Sequence, residues 1–373
     1  MSAVSAPGGV AAPRHLLSLR DLPQAEWDAL LESAERLSGE AGRRPPTRRD
    51  ARPGAHPVPL LEGRRLGMLF FNSSLRTRTA FEVACFDLGA HAVSLQVGGN
   101  VWKLEHRRGV RMDGEAAEHV KEGIPVLGRM LDGLGVRCFA GLADAAEDAR
   151  DPLLAAIAAA STVPVLNLES AMDHPHQGLA DALALRRHLR GESPVAVAGS
   201  GVPRGGAMRA RVVISWAPHV KPLPLAVPHA ALMAFAREGH EVRLCHPPGF
   251  DLDPGVLAAA QAAAAAAGGS LAVGHDRRAA LAGAQVVYVK SWGARGHYGD
   301  AAAAAAAFAA HRDWMLTAAD LGAAAFMHCL PVRRGVVVAD EVLDGGRSLV
   351  LEQAGARLDV QKATLCRALG VEA

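Results

Sequence analysis

The stretch Leu66-Gly67-Met68-Leu69-Phe70-Phe71-Asn72-Ser73-Ser74-Leu75-Arg76-Thr77-Arg78 decides the fold of this chain. Residues 66–71 are a short apolar run, which predicts a buried strand, and residues 72–78 form a polar turn. After the turn, apolar residues recur at the i, i+3, i+4 and i+7 spacing of a helix that buries one face, namely Phe81, Ala84, Cys85 and Leu88. A strand that enters a helix through such a turn exposes free backbone N–H groups at the helix start.

The same turn is suited to an anion. Its free N–H groups and the helix dipole favour negative charge, and two hydroxyls and two guanidinium groups add donors that match phosphate oxygens. A helix cap with two exposed arginines is the alternative, but it does not account for all of these groups together. The turn therefore predicts a phosphate site, although not a nucleotide P-loop, because the GxxxxGK[ST] pattern is absent.

Composition restricts the class of protein. The 373-residue chain carries a formal net charge of +2 and 21% charged residues, which argues against a nucleic-acid-binding protein with a basic surface. The alanine runs near 256–267 and 301–310 are too short and too weakly apolar to span a bilayer. Residues 1–13 lack the pattern of a signal peptide. The five cysteines are odd in number and dispersed, which predicts reduced thiols in a cytoplasmic protein.

Strands and helices alternate along the chain in two series, which predicts doubly wound parallel sheets. The expected strands are 66–71, 91–95, 134–139, 163–168, 211–216, 241–246, 271–273, 285–290, 324–329 and 348–352. The expected helices include 27–37, 115–131, 151–160, 174–190 and 356–369. We expect one domain over 14–177, completed by a C-terminal helix within 353–373, and a second over 178–352.

Active groups of parallel sheets lie at the carboxyl ends of the strands. Arg78, Arg137 and Glu169 all lie at or near such ends, so they form a mutually consistent set. Lys290 also ends a strand and is suited to a substrate carboxylate, although it could be one more basic loop residue. We expect the proline-rich segment 217–224 to form neither helix nor strand.

Three further patterns admit other interpretations. His174, His176, His328 and Cys329 could form a zinc site, but their spacing matches no strong metal pattern. Gly199–Gly206 imitates a dinucleotide fingerprint, yet a strand restarts at Arg211 and leaves no room for the helix that holds a pyrophosphate. We interpret this segment as a loop insertion at 191–210, and the arginine cluster within 38–57 as a solvated surface loop.

Taken together, the motifs resemble the aspartate/ornithine carbamoyltransferase family over residues 14–370. Ser74-Leu75-Arg76-Thr77-Arg78 resembles its carbamoyl phosphate signature, His174-Pro175-His176-Gln177 its HPxQ motif, and His328-Cys329-Leu330-Pro331 its HCLP motif. Ordinary ornithine enzymes of the family carry an SMG motif where this chain has Lys290-Ser291-Trp292-Gly293. That departure, Trp102-Lys103-Leu104-Glu105, Met112-Asp113-Gly114 and the proline-rich loop after Trp216 are similar to the N-acylornithine branch.

The resemblance implies a fold, an assembly and an activity. The fold would be two αβα domains with the active site in the cleft between them, and with a knot where the proline-rich loop threads another loop. The assembly would be a homotrimer with shared active sites, in which Trp102 reaches into a neighbour's site. The activity would be transfer of the carbamoyl group of carbamoyl phosphate to the δ-amine of an N2-acyl-L-ornithine. The products would be an N-acylcitrulline and phosphate, in arginine biosynthesis.

The resemblance also implies roles for individual residues. The predicted catalytic residues are Arg137, His174, Gln177 and Cys329. The predicted carbamoyl phosphate ligands are Ser74, Leu75, Arg76, Thr77, Trp102, Arg137, His174, Pro175, His176, Gln177, Cys329, Leu330 and Arg357. The predicted acylornithine ligands are Glu169, Trp216, Lys290, Leu330 and Arg333.

The residue chemistry agrees with those roles. A neutral δ-amine attacks the carbamoyl carbon, and negative charge develops on the carbamoyl oxygen. Arg137, His174 and Thr77 are donor types that stabilise such an oxyanion. We expect positioning and charge stabilisation to supply most of the rate, with no metal and no redox cofactor.

The acyl group is predicted from fewer positions. Acetyl enzymes of this branch carry a glutamate, and succinyl enzymes a proline, where this chain has Ala117. Loss of the carboxylate removes a repulsive element, and Arg333 could pair with a succinyl carboxylate. Val337 lies where acetyl enzymes carry a lysine. The sequence therefore favours N-succinylornithine as substrate, with N-acetylornithine as the alternative.

Two hypotheses from other classes remain at this point. A non-catalytic relative that binds a phosphorylated metabolite would keep Ser74–Arg78 but lack the residues on the amine side, and Lys290 and Glu169 argue against it. A dinucleotide oxidoreductase would depend on Gly199–Gly206.

Overall fold

The computed structural model describes residues 13–38, 59–98, 101–192 and 209–373. Residues 1–12, the arginine cluster at 43–49 and the glycine-rich segment Gly199–Gly206 lie outside the described residues.

The described elements alternate as expected for an α/β protein. In chain order they are α1 (Gln24–Arg36), β1 (Arg65–Phe70), α2 (Arg76–Asp87), β2 (His91–Gln96), β3 (Leu104–Glu105), β4 (Glu118–His119), α3 (Val120–Gly128), β5 (Gly133–Arg137), α4 (Ala145–Asp148), α5 (Pro152–Ala160), β6 (Val165–Glu169) and α6 (Pro175–Leu189). They continue with β7 (Arg211–Trp216), α7 (Ala226–Arg237), β8 (Glu241–Cys245), α8 (Pro254–Ala266), β9 (Ser270–Gly274), α9 (Arg277–Leu281), β10 (Val286–Lys290), α10 (Ala301–Ala310), α11 (Ala318–Leu321), β11 (Ala325–Met327), α12 (Asp340–Leu343) and α13 (Val350–Ala368). Short 3₁₀ turns cover Arg295–His297 and Arg312–Trp314.

The strands form two main parallel sheets. The order is β2-β1-β5-β6 in the first sheet and β11-β10-β7-β8-β9 in the second, and the short strands β3 and β4 pair separately. Every pairing within the main sheets is parallel. Central strands such as β5 and β10 are buried along their whole length, as expected when helices cover both faces of a parallel sheet. The predicted fold class is therefore confirmed.

A glycine lets α2, the helix that follows the turn 72–75, lie on the first sheet. A Cβ added to Gly135 in β5 would come within 2.8 Å of the Phe81 ring and 2.7 Å of Leu168. Phe81 is completely buried, so any side chain at 135 would push α2 off the sheet. Close packing at this position supports the turn that precedes α2.

The C-terminal helix lies beside helices that flank the first sheet. Helix α13 packs against α6, α2 and α1. Helix α13 itself carries buried polar side chains, among them Gln353, Arg357 and Thr364. Consequently the end of the chain brings polar groups to the carboxyl edge of β1, β5 and β6.

Two expected elements differ in the structure. The strand expected at 348–352 is wrong: Ser348 forms only an isolated bridge with Phe326, and α13 begins at Val350. The short apolar run misled because the buried positions continue at helical spacing as Val350, Gln353 and Ala356. The helix expected at 115–131 starts only at Val120, since residues 118–119 pair with β3. The segment 217–224 is neither helix nor strand, as expected.

All five cysteines are buried and unpaired. Within the described ranges, none of the helices has both the length and the apolar character needed to cross a membrane. The knot that the resemblance implies stays a prediction.

Candidate active site

A cavity of about 950 Å³ opens where the carboxyl edges of the two sheets face each other. Its walls come from the turn after β1, the ends of β5, β6 and β10, the start of α6, the loop after β11, and α13. Thirteen of the predicted site residues line it: Ser74, Leu75, Arg76, Thr77, Arg137, Glu169, His174, Gln177, Lys290, Cys329, Leu330, Arg333 and Arg357. The cleft between the domains is therefore a real concave site. The individual roles of these thirteen residues stay predictions.

Three arginines converge on the first-domain side of this cavity. Arg76, Arg137 and Arg357 come from α2, β5 and α13, and the Nε atom of each is buried without a hydrogen-bond partner among the described residues. Burial lowers the pKa of Arg357 to about 10, and the charges of Arg137 and Arg76 add to the shift. Glu169 is the carboxylate that pairs with this cluster, through Arg137. The excess of positive charge in a nearly dry wall favours a polyanionic ligand.

The turn before α2 presents hydroxyls to the same wall. The Thr77 hydroxyl accepts from Arg357 Nη2 at 2.7 Å, and Ser74 Oγ accepts from the Thr77 N–H at 3.3 Å. Arg78 also borders the cavity, but its guanidinium donates to Ser94 and Gln96 on β2. Arg78 thus fastens α2 to the sheet, and the arginine available to an anion from this turn is Arg76.

His174 lies between the arginine cluster and the start of α6. Its Nε2 is 3.6 Å from Glu169 Oε2, and its Nδ1 is buried without a partner among the described residues. Burial, reinforced by the charges of Arg357 and Arg137, lowers the pKa of His174 well below the ordinary value. The imidazole is therefore neutral at pH 7, and one of its nitrogens donates while the other accepts. A neutral imidazole beside Arg137 is suited to donating to a developing oxyanion.

The loop after β11 contributes backbone rather than thiol chemistry. Burial raises the pKa of the Cys329 thiol, so the thiolate that nucleophilic catalysis needs is disfavoured. Leu330 has a positive φ of 53°, and its N–H donates to His328 Nδ1 at 2.9 Å. What Leu330 offers a ligand therefore comes from its carbonyl and its side chain.

Cations also line the second-domain side of the cavity. Lys290 is only 8% exposed at the end of β10. Arg333 and Lys221 are exposed on the cavity wall, one on each side of His219. Arg333 Nε donates to His219 Nε2 at 3.2 Å, and His219 Nδ1 lies 2.9 Å from the Lys221 carbonyl. Since Nε2 accepts, Nδ1 carries the proton, and burial lowers the pKa of this neutral His219.

Three predicted ligands do not line the cavity, and their roles stay predictions. His176 is buried on the opposite side of α6, with Nδ1 3.0 Å from the Asn167 carbonyl and Nε2 2.9 Å from Thr364 Oγ1. Pro175 occupies the first turn of α6 and is buried. Trp216 is completely buried, donates to the Trp292 carbonyl and packs 4.5 Å from the Phe250 ring centroid. In this structure these side chains pack against protein behind the cavity wall.

Trp102 and Ala117 belong to one segment outside this cavity. Trp102 is 50% exposed and donates to Glu118 at 3.1 Å, and the Ala117 N–H donates to the Lys103 carbonyl. Ala117 is exposed. Neither residue borders the cavity of its own chain.

The sequence analysis missed several wall residues. His219, Lys221, Leu223 and Pro224 come from the proline-rich segment, none of whose residues was predicted to contact a ligand. Its position directly after a buried strand was the usable signal, because loops at that edge carry ligands. Among the described residues, no group of three or more His, Cys, Asp or Glu side chains is arranged to hold a metal ion.

Both halves of the chain match models of one protein family. The family model described as "Aspartate/ornithine carbamoyltransferase, carbamoyl-P binding domain" matches residues 14–187. The companion model, "Aspartate/ornithine carbamoyltransferase, Asp/Orn binding domain", matches residues 226–368.

Individual relatives span nearly the whole chain. The N-acetylornithine carbamoyltransferase of Xanthomonas campestris pv. campestris is 37% identical over 368 residues, covering 96% of this chain and 98% of that protein. The N-succinylornithine carbamoyltransferase of Bacteroides fragilis is 34% identical over 305 residues, covering 80% and 86%. A crystal structure of a glutamate-to-alanine variant of N-acetyl-L-ornithine transcarbamylase, complexed with carbamyl phosphate and N-succinyl-L-norvaline, matches with a TM-score of 0.84 at 36% identity, covering 95% of this chain and 99% of that one.

Proposed function

The chain belongs to the aspartate/ornithine carbamoyltransferase family, in its N-acylornithine branch, and we propose that it carbamoylates the δ-amine of N2-succinyl-L-ornithine in arginine biosynthesis. The observation that carries this proposal is the convergence of Arg76, Arg137 and Arg357 in a cleft that also holds Lys290. One side of the cleft suits the phosphate of carbamoyl phosphate, and the other suits the carboxylate of an amino acid.

The reaction follows from where these groups lie. Arg76, Arg357 and the α2 turn hold the phosphate, while Arg137 and neutral His174 donate to the carbamoyl oxygen. The lone pair of the δ-amine forms a C–N bond to the carbamoyl carbon, and the carbonyl electrons move onto the oxygen. When the carbonyl reforms, the C–O bond to phosphate breaks, and inorganic phosphate leaves with the bonding electrons. The attacking amine passes one proton to the departing phosphate, and the product is an N-acylcitrulline.

The acyl group is assigned from charge. His219, Lys221 and Arg333 provide a donor-rich end to the cavity. A succinyl group would place a carboxylate there, whereas an acetyl group would leave these cations without a partner. Val337, at the position where acetyl enzymes of the branch carry a lysine, is buried. A glutamate-to-alanine variant of an acetylornithine enzyme has been crystallised with N-succinyl-L-norvaline, which agrees with alanine at 117.

We propose that the chain assembles as a homotrimer in which the segment 102–119 completes a neighbour's site. Exposed large apolar side chains are concentrated in the first domain, with Leu75 78%, Phe86 68% and Trp102 50% exposed. Such surface is usually covered by a partner. Trp102 and Ala117, which face away from their own cavity, would then contribute together to a neighbouring one.

We further propose that residues 14–177 and 353–373 bind carbamoyl phosphate and that residues 178–352 bind the acylornithine. The packing of α13 on α2 and α6 supports this division. The free cysteines agree with a cytoplasmic location.

Calorimetry tests the proposal without turnover. Carbamoyl phosphate should bind the free enzyme, and N-succinyl-L-norvaline, which lacks the attacking amine, should bind tightly only after it. Binding of NADH with no binding of carbamoyl phosphate would favour an oxidoreductase. Carbamoyl phosphate binding without any acylated amino acid binding would favour a non-catalytic relative.

A further inference from the structure

A buried carboxylate lies behind the cavity wall and belongs to none of the predicted site residues. Asp181 follows Gln177 by one turn of α6, and the structure leaves it completely buried. We propose that Asp181 is a positioning residue that orients the Gln177 amide towards the carbamoyl group and, through Gln353, sets the loop 328–330 that meets the attacking amine. This inference rests on the proposed carbamoyl transfer.

The first contact fixes the direction of an amide. Gln177 Nε2 donates to Asp181 Oδ1 at 2.7 Å, and Gln177 also lines the cavity. Because a carboxylate oxygen accepts hydrogen bonds, the amide NH₂ faces Asp181, and the amide oxygen is left for the cavity. An amide oxygen at this point accepts from the NH₂ of a carbamoyl group. Without Asp181 the amide could rotate and present a donor to that NH₂, which would be repulsive.

The second contact runs through α13 to the loop after β11. Gln353 Nε2 donates to the same Asp181 oxygen at 2.5 Å, and Gln353 Oε1 accepts from the His328 N–H at 2.9 Å. His328 Nδ1 in turn accepts from the Leu330 N–H at 2.9 Å. These hydrogen bonds hold Leu330 in its positive-φ conformation, which a non-glycine residue adopts only when its surroundings enforce it. Gln353 is completely buried, so no solvent competes for these bonds.

One carboxylate oxygen therefore joins the two halves of the site. One donor is Gln177 of α6, on the carbamoyl side. The other is Gln353 of α13, which also accepts a hydrogen bond from the loop on the amine side. The orientation of the electrophile and that of the loop around the nucleophile share this anchor. A buried polar network of this kind costs desolvation, and specifying one geometry is a recognised reason to retain it.

The main test compares Asp181→Leu with Asp181→Asn. Leucine fills the space but accepts no hydrogen bond, so kcat at pH 8.5, where the Asp181 carboxylate is charged, should fall about 10- to 100-fold, the loss expected for hydrogen bonds to a charged group. Asparagine can still accept from both glutamines through its Oδ1, so kcat should stay within about fivefold of the parent. The KM for carbamoyl phosphate should change little in both variants, because Arg76 and Arg357 hold the phosphate.

A double variant separates positioning from mere destabilisation. In a Gln177→Ala background, Asp181→Leu should cost markedly less in kcat than it does in the parent, since the amide that it orients is absent. Glu238→Gln is a matched control: Glu238 is a buried carboxylate that accepts from Trp27 and Arg186 away from the cavity. It should lower the melting temperature and leave kcat and both KM values unchanged.

Gln353→Leu provides an independent arm if Asp181→Leu does not fold. It keeps the Gln177 contact and loosens loop 328–330, so the KM for the acylornithine should rise about tenfold while that for carbamoyl phosphate stays constant. Parental kcat in folded Asp181→Leu, full additivity with Gln177→Ala, or unchanged KM in Gln353→Leu would overturn the inference. A parent enzyme that carbamoylates no acceptor would instead refute the proposed function, so the two failures are distinguishable.

Discussion

Arg357 of the C-terminal helix donates from Nη2 to the hydroxyl of Thr77 at 2.7 Å, 280 residues earlier in the chain. This bond joins the end of the chain to the turn that decides the fold. It also holds the buried Arg357 guanidinium beside Arg76 and Arg137, whose like charges repel it. An anion bound between the three relieves that repulsion.

Arg76→Ala should weaken carbamoyl phosphate binding by about 30- to 1000-fold, because truncating one partner of a desolvated charge pair costs roughly 2–4 kcal/mol. Calorimetry measures the change directly. Arg277→Ala is the control, since Arg277 pairs with Asp320 in the second domain, outside the cavity wall. Unchanged affinity in Arg76→Ala would refute the assignment of the phosphate site.

Ala117→Glu should shift preference from N-succinylornithine towards N-acetylornithine, because the new carboxylate repels the succinyl carboxylate. We expect the ratio of the two kcat/KM values to change at least about tenfold. Ala302→Glu, on the exposed face of α10, is the matched control and should leave the ratio unchanged. An equal ratio in Ala117→Glu and the parent would count against the acyl assignment.

The folded state should lose stability as the pH falls below 6.5. Burial lowers the pKa of His229 and of His240 to about 4 and that of His176 to about 3. Between those values and 6.5 the unfolded chain binds protons that the folded chain does not, so each histidine costs about 1.4 kcal/mol per pH unit. Burial raises the pKa of Asp173 to about 6 and that of Asp181 to about 7, so protonation of these two carboxyls stabilises the folded state as the pH falls. These two groups oppose the effect of the three histidines.

Urea unfolding at pH 7.5 and pH 5.0 measures this difference. The free energy of unfolding should be smaller at pH 5.0, and His229→Gln should reduce the difference by removing one of the buried histidines. Greater stability at pH 5.0 would show that the buried carboxyls outweigh the histidines.

Dialysis against a chelator should leave carbamoyl transfer intact. The proposed chemistry uses guanidinium and imidazole donors, and the described residues hold no cluster of three metal-ligating side chains. Turnover should be equal before and after treatment. Loss of activity that added zinc restores would revive the zinc interpretation of His174 and His328.

The sequence predicted those parts of the molecule that depend on neighbouring residues. The strand and helix on either side of Ser74–Arg78 follow from local apolar spacing, and the ends of β5 and β6 follow from the alternation of elements. Strands and helices of this length carry their own periodicity. The carboxyl-edge rule then brought Arg137 and Glu169 together, and the two side chains do form an ion pair.

Tertiary packing decided what the sequence did not reveal. The resemblance implies a ligand role for Trp216, whereas in this structure Phe250 and Phe308 pack against its ring from other elements. Arg78 looked equivalent to Arg76, yet Ser94 and Gln96 on the adjacent strand take its guanidinium. Such choices depend on which face of an element a distant segment covers.

The hydrogen bonds of Asp181 also depend on tertiary packing that the sequence did not reveal. Its partner Gln353 is 172 residues away, and neither residue belongs to a motif that carries the family resemblance. No periodicity in the sequence relates two such positions. Only the return of α13 to the first domain brings them into contact.

The most direct measurement is a carbamoylation assay with ornithine, N-acetylornithine, N-succinylornithine and aspartate as competing acceptors at equal concentrations with carbamoyl phosphate. The account predicts that N-succinylcitrulline is the main product, that the acetyl product is minor, and that ornithine and aspartate are left unreacted. Dominant N-acetylcitrulline would contradict the acyl assignment alone. Carbamoylation of free ornithine or aspartate in preference to both acylated amines would contradict the account as a whole.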